Sequence, residues 1–259
     1  KSNLNVFVLH PNNKISPVQR KLMTIHDDDN VFNIAIEGNF DDCQNLVKAM
    51  FNDEKFSKTI NMSGVNSINW ARIIAQAVYY FYAYFKVGNG RPLSFCVPTG
   101  NFGDVYAGYL AKKLGLPIDK LIVATNKNDI LHRAISGGDY TQKKVKETNT
   151  PSMDIQIASN FERLLYDVKD CNSEVTKDVM SKIKNNTYKI DKNDLNKIKM
   201  NFTSEMIDEN ETVELIKTIN DEHQMLVDPH TAVGIGAARK LGLEKNCVVL
   251  STAHPCKFP

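Results

Sequence analysis

A chain of 259 residues, 42% apolar and 24% charged, has ordinary globular composition and is long enough for one large domain or two modest ones. Its 32 Lys and Arg against 30 Asp and Glu leave a net charge of +2, which gives no whole-chain electrostatic case for nucleic acid or an anionic membrane. No apolar run reaches the roughly 18–20 residues that span a bilayer, and no basic-then-apolar leader is present, so neither a membrane protein nor a secreted one is expected.

In chain order, Asn5 to Leu9 reads as a strand, and Ser16 as an N-cap with Pro17 at the first helical position. A second strand, Val31 to Glu37, leads through Gly38-Asn39-Phe40 into a helix opening on Asp41-Asp42. Strand, helix, strand, helix is the rhythm of a parallel sheet with crossover helices. A polar link, 52–64, precedes a helix from Ser67 to Phe85 that is apolar nearly all round and is expected to be buried. A strand at 93–97, a loop at 98–103 and a helix at 104–114 follow, with Gly115 set for a left-handed C-terminal cap and Pro117 behind it. Leu121 to Thr125 completes a second strand-helix-strand unit. Ser159 to Glu162 has the S-x-x-E form of a capping box. Residues from about 174 to 221 turn rich in Lys, Asn, Asp and Glu and read as solvated helices of a peripheral insertion; interleaved Asp191 and Asp194 count against a basic binding patch. The chain closes on Asp228-Pro229-His230-Thr231-Ala232, a small-residue helix, and a strand from Cys247 to Leu250 leading into Ser251-Thr252-Ala253-His254-Pro255. The five cysteines form no C-x-x-C pair and the six histidines no ligand spacing, so reduced thiols in a cytoplasmic setting are expected and a metal site is not.

The chemistry gathers at Pro98-Thr99-Gly100-Asn101-Phe102-Gly103-Asp104. A glycine-containing turn between a parallel strand and a helix turns backbone N–H groups outward at the positive end of the helix dipole, an anion site suited to phosphate. Gly100 and Gly103 allow close approach and positive φ, and Asn101 offers a side-chain donor. The loop lacks the Gly-Lys-Ser/Thr of a P-loop, and it lacks the third glycine and downstream acidic residue of a dinucleotide fingerprint. On these residues alone, a phosphate cradle and a tight structural turn both stand.

The same segment, followed by Ala107-Gly108 and Gly115-Leu116-Pro117, resembles the phosphate-binding segment of threonine synthases, pyridoxal 5'-phosphate (PLP) enzymes of the tryptophan-synthase-β fold type. Ser16-Pro17-Val18-Gln19, Gly38 to Gln44, Asn66 to Ile73, Ala124-Thr125-Asn126 with Asn128-Asp129, Ser159 to Arg163, Asp228 to Ala232 and Ser251 to Pro255 also resemble family segments, in family order, most like the fungal and bacterial branch. The resemblance implies an α/β fold of parallel twisted sheets with helices on both faces. Residues 1–64 would be the remainder of a small domain. Residues 65–259 would be a large PLP-phosphate-binding domain carrying the 174–221 insertion.

The activity implied is conversion of O-phosphohomoserine and water to threonine and phosphate, the final step of threonine biosynthesis, by a PLP-dependent carbon-oxygen lyase. By resemblance, Gly100, Asn101, Phe102, Gly103 and Asp104 cradle the cofactor phosphate and Thr252 bonds the pyridine nitrogen. Asn66, Ser67, Asn69 and Arg72 open a buried helix and are candidates for the substrate; an arginine there needs an anionic partner, a substrate phosphate or carboxylate, or else makes a structural salt bridge or reaches the surface. His230 and His254, each beside a proline, read as active-site contacts or as satisfied structural histidines. No nucleic acid or membrane is implied, and monomer and homodimer both remain open. The family's Schiff-base lysine, in a Phe-Lys-Asp motif, and its Ser-Gly-Asp-Thr-Gly loop do not occur in these residues, nor does the region beyond Ala-His-Pro. The chain is therefore expected to be the central and larger part of such an enzyme and inactive by itself. The alternative is a truncated or catalytically dead homologue that only binds PLP or another phosphate ligand.

Overall fold

The computed structural model describes residues 4–13, 15–26, 28–38, 40–66 and 68–258, leaving aside the side chains of Phe40 and Asp41. The chain divides into two compact units, 1–64 with 256–259, and 65–255.

In the first unit β1 (Val6–Pro11) and β2 (Val31–Ile36) pair in parallel, with Val6 opposite Val31. Helix α1 (Pro17–Thr24) joins them, and Ser16 caps it by accepting from the Gln19 amide at 3.1 Å, with Pro17 in the first turn. Helices α2 (Phe40–Asn52) and α3 (Glu54–Thr59) follow. The expected entry through Asn39 lies outside the described residues.

The second unit opens with α4 (Trp70–Val87), β3 (Leu93–Pro98), α5 (Gly103–Lys113), β4 (Ile118–Thr125) and α6 (Ile130–Gly137). Next come a 3₁₀ turn at Pro151–Met153, α7 (Phe161–Val168), α8 (Ser173–Lys184), α9 (Lys192–Asn201), β5 (Phe202–Met206), α10 (Glu209–His223), α11 (Pro229–Lys240) and β6 (Cys247–Val249). The four strands form a parallel sheet in the order β5-β4-β3-β6. All six residues of β3 are buried, as a central parallel strand requires.

Alternation along the strands sorts the side chains between two helical layers. Phe95, Val97, Leu121 and Val123 face a core shared with α4, α5, α6 and α7, whereas Cys96, Ile122 and Ala124 face Val233, Ala237 and Ala238 of α11. Glycine permits close contact in two helices. A Cβ on Gly108 of α5 would lie 2.5 Å from the Tyr80 ring of α4 and 2.8 Å from Leu121, and one on Gly234 of α11 would lie 2.8 Å from Val249. α5 ends in a Schellman motif: Gly115 has φ 101°, its amide donates to the Lys112 carbonyl, and the Leu116 amide donates to that of Ala111.

Three expectations differ from what is found. α4 buries one face only, through Ile73, Ala77, Tyr80 and Tyr84; Ile74, Val78, Tyr82 and Phe85 are exposed, although the helix is apolar almost all round. The Ser159–Glu162 capping box does not form, because Asn160 takes the N-cap position of α7 and its side chain bonds elsewhere. Finally, the 174–221 stretch is not peripheral throughout. It contains β5, an edge strand paired with β4, and it buries Val179, Ile183, Ile198 and Phe202 in the main core.

Candidate functional site

Strands β3, β4 and β6 run in parallel, so their C-terminal ends open on one edge of the sheet, where ligands of such folds bind. The Pro98–Phe102 loop emerges there from β3 and turns into α5. Its shape is fixed from below. The Thr99 amide donates to the Ala124 carbonyl and its hydroxyl to that of Val97, while Asn101 accepts from the Gly103 amide through Oδ1 at 3.1 Å. An α-helix leaves its first N–H groups without intrahelical acceptors. In α5 that of Gly103 is taken by Asn101, and those of Asp104 and Val105 lie in the same first turn.

The loop's left-handed residue is Phe102, at φ 68°, and neither Gly100 nor Gly103 has positive φ. Their lack of a side chain matters for space instead. A Cβ on Gly100 would collide with the Ser152 carbonyl oxygen. One on Gly103 would stand 3.1 Å from Asn101 Oδ1, 3.3 Å from Asn160 Nδ2 and 3.4 Å from Ile73. Phe102 is locked by burial of its ring, packed edge-on against Phe161 at 5.1 Å and tilted against Phe202 at 5.6 Å.

Asp104 turns its carboxyl toward the core, where Tyr80 Oη lies 3.1 Å from Oδ1 and donates to the Asp104 carbonyl at 2.8 Å. Burial pushes the carboxyl up to about 6, against the lowering effect of the tyrosine bond. Behind the loop, the turn that meets Gly100 is braced by polar contacts. Buried His230 accepts the Ser152 amide at Nε2 (3.3 Å) and faces Asp228 Oδ1 at 3.0 Å through Nδ1, so its proton sits on Nδ1. Asp228 caps α11; although burial raises its carboxyl, bonds from His230 and Thr231 bring it below the usual range. Asn126 Nδ2 reaches Thr148, Thr150 and Asp154 in the same segment.

The remaining expected residues are placed as follows. Asn69 caps α4 by accepting from the Ala71 amide, and Asn66 accepts from the Ile68 amide. Ser67 lies outside the described residues. Arg72 is exposed and donates to the Val65 carbonyl at 2.9 Å, so the burial that would have demanded an anionic partner is not found. Thr252 is exposed just after β6, whose run-out is tied to β3 by the Leu250 amide on the Cys96 carbonyl and, through Ser251, to Thr231 of α11. His254 is exposed and His230 is the brace just described.

Sequence reading missed Asn160 and Arg163 as parts of this site. Arg163 donates from Nε to Asn160 Oδ1 (2.9 Å) and from Nη2 to the Ile68 carbonyl (2.7 Å), with its guanidinium 5.2 Å from the Trp70 ring. The Asn-x-x-Arg spacing at a helix start was the signal available, and the capping-box reading displaced it. Among the described residues no group of three His, Cys, Asp or Glu is arranged to hold a metal, and no helix is long and apolar enough to cross a membrane.

A parallel sheet with helices on both faces, with a loop-to-helix turn at its C-terminal edge, is an α/β arrangement that this chain shares with fold-type II enzymes. The crystal structure of PLP-bound threonine synthase from Brucella melitensis superposes on the whole chain with a TM-score of 0.91 at 48% identity. The threonine synthases of Pseudomonas aeruginosa and Saccharomyces cerevisiae are 47% and 44% identical over 99% and 100% of the chain. The family described as threonine synthase, C-terminal, matches residues 231–259. Along its whole length, then, the chain is a homologue of threonine synthases. It spans 56%, 56% and 55% of the Brucella, Pseudomonas and yeast proteins respectively.

Proposed function

We propose that this chain forms the larger part of a threonine synthase and holds the phosphate of PLP at the mouth of α5, with O-phosphohomoserine as the substrate of the whole enzyme. The observation that carries the reading is the glycine at the mouth of α5. A buried glycine stands at the first helical position, where a Cβ would be crowded at 3.1–3.4 Å, and the buried donor Asn160 Nδ2 lies beside it without a partner among the described residues. Those features fit a phosphate group, and the similarity to a PLP-bound enzyme over the full chain supplies the cofactor. Gly100 to Asp104 would hold the phosphate, chiefly through first-turn amides. Thr252, on the same sheet edge, would offer its hydroxyl to the ring nitrogen. Bound there, PLP supplies the electron-withdrawing ring that the elimination of substrate phosphate needs.

Asn66, Ser67, Asn69 and Arg72, at the entry to α4, are assigned to the substrate, with Arg72 offering its remaining N–H groups to an anion. Unit 1 is the remainder of the small domain and unit 2 the phosphate-binding domain. All five cysteines are free thiols, which suits a cytoplasmic enzyme.

The test is equilibrium binding of PLP and of inorganic phosphate to the chain and to Gly103→Val. The isopropyl group intrudes on neighbours already at 3.1–3.4 Å, so binding should weaken at least tenfold while thermal unfolding stays cooperative. Parental affinity in a folded variant would return the loop to a simple structural turn.

A further inference from the structure

The side chain of Asn160 is 1% exposed, and among the described residues its Nδ2 has no hydrogen-bond partner. Its other polar groups are engaged. The backbone amide donates to the Asn101 carbonyl at 3.0 Å, the backbone carbonyl accepts from the Arg163 amide at 3.1 Å, and Oδ1 accepts from Arg163 Nε at 2.9 Å. A guanidinium can only donate, so the oxygen of the amide must face Arg163 and the NH₂ must face the other way. That other way is the cradle, with Nδ2 3.3 Å from the point where a Cβ on Gly103 would stand. Arg163 is itself held by the Ile68 carbonyl and the Trp70 face, so the amide cannot swing freely. A buried donor with no acceptor is costly, and one that a native fold retains calls for a partner.

We propose that Asn160 is a ligand of the phosphoryl group at the mouth of α5, donating its Nδ2–H to a phosphate oxygen, with Arg163 as the residue that positions it. The inference rests on the phosphate-cradle reading given above. It assigns a side-chain donor from α7 to a site otherwise built of α5 backbone, so that an anion there is gripped from two elements rather than one. The chemistry recognised is a phosphate monoester or free phosphate, whose oxygens accept several bonds at once.

The 259-residue chain, labelled with ¹⁵N, is titrated with inorganic phosphate and separately with PLP while the side-chain NH₂ pair of Asn160 is followed by NMR. Affinities for both are then measured for Asn160→Asp. That variant keeps an acceptor for Arg163 and nearly the same volume, but places a carboxylate oxygen where the donor stood. The expected result is a saturable shift of the Asn160 pair with either probe, and affinity weakened roughly ten- to hundredfold in the variant. A shift with phosphate but none with PLP would confine the site to the free ion and overturn its assignment to the cofactor phosphate. If the parent binds both probes while the Asn160 pair stays still and the variant binds within about twofold, this inference falls and the cradle stands. If the parent binds neither probe, the cradle reading itself falls. The NMR arm needs no substitution, so misfolding of Asn160→Asp would not spare the proposal.

Discussion

Phe102 carries the left-handed turn that glycines were expected to carry, and the reason lies in its ring. A non-glycine residue in this region costs roughly 1–2 kcal/mol, but full burial of a phenylalanine side chain among Phe161 and Phe202 returns more than that. The neighbouring Asp104 has the opposite balance. Its carboxyl, raised to about 6 by burial from an ordinary 3.8, favours the protonated form in the folded chain. When protonated it can donate to Tyr80 Oη, whose own hydrogen goes to the Asp104 carbonyl; when ionised, carboxylate and carbonyl compete for that one hydrogen. A folded-state value above the unfolded one gives stability that is fully present below pH about 4 and is lost as the pH rises through about 6. The loss amounts to roughly 2–3 kcal/mol. Asp104→Asn keeps the acceptor and removes the charge, so it should be the more stable protein at pH 7.5. Urea unfolding at several pH values should show the parental decline between pH 4 and 6 and a flatter profile in the variant. Parallel profiles would mean that Asp104 ionises without penalty.

Among the elements, the α4–α5 contact decides where the cradle sits. Tyr80 reaches across it to bond Asp104, pack on Phe95 at 4.9 Å, and occupy the space that a Cβ on Gly108 would need. Gly108→Ala should raise helix propensity by about 1 kcal/mol and yet destabilise the chain. The new methyl meets ring atoms at 2.5–2.7 Å and Leu121 at 2.8 Å, and overpacking of this kind costs typically 1–3 kcal/mol. Because α5 would be pushed from α4, phosphate affinity should fall with stability; a gain in stability would show that Tyr80 has room to move. The order β3-α5-β4 was legible from sequence because its punctuation is strong: a buried run ending at Pro98, glycines at the turn, and Gly115 at the helix end. Strand β5 was not. Phe202-Thr203-Ser204-Glu205-Met206 is short, sits on an edge, and is embedded in lysine-rich helices, so composition concealed it. α4 misled in the other direction, since an apolar circumference says nothing about which side finds a neighbour.

At the scale of the whole molecule, parallel pairing of β3 with β6 sets the loop at 98–103 and Thr252, far apart in sequence, at the same edge of the sheet. Asn160, Arg163 and the His230–Ser152 brace were not legible, because their roles depend on side-chain directions rather than on spacing. Among the described residues, the side-chain atoms nearest to where a Cβ on Gly103 would stand belong to Asn101, Asn160 and Ile73, and several lysines of this unit are engaged elsewhere. Lys120 donates to the Lys199 and Met200 carbonyls at the end of α9, Lys199 to that of Ser136, Lys197 to that of Val168, and Lys112 to that of Asp119. Lys169 is paired with Asp191 and Asp194, and Lys86 rests over the Tyr82 ring. Chemistry on O-phosphohomoserine needs a base that moves a proton at the reacting carbon, and the Phe-Lys-Asp segment that would bring one is not among these residues. The expected outcome is a division of function. The 259-residue chain binds phosphate and PLP non-covalently, yet releases no phosphate from O-phosphohomoserine at saturating PLP above a heat-treated control, and the absorption of added PLP stays that of the free aldehyde. Release of phosphate above the control, in a preparation shown by mass to contain this chain alone, would mean that one of these lysines leaves its carbonyl partner and serves the site. Successive Lys→Met variants, beginning with Lys112, would then show which.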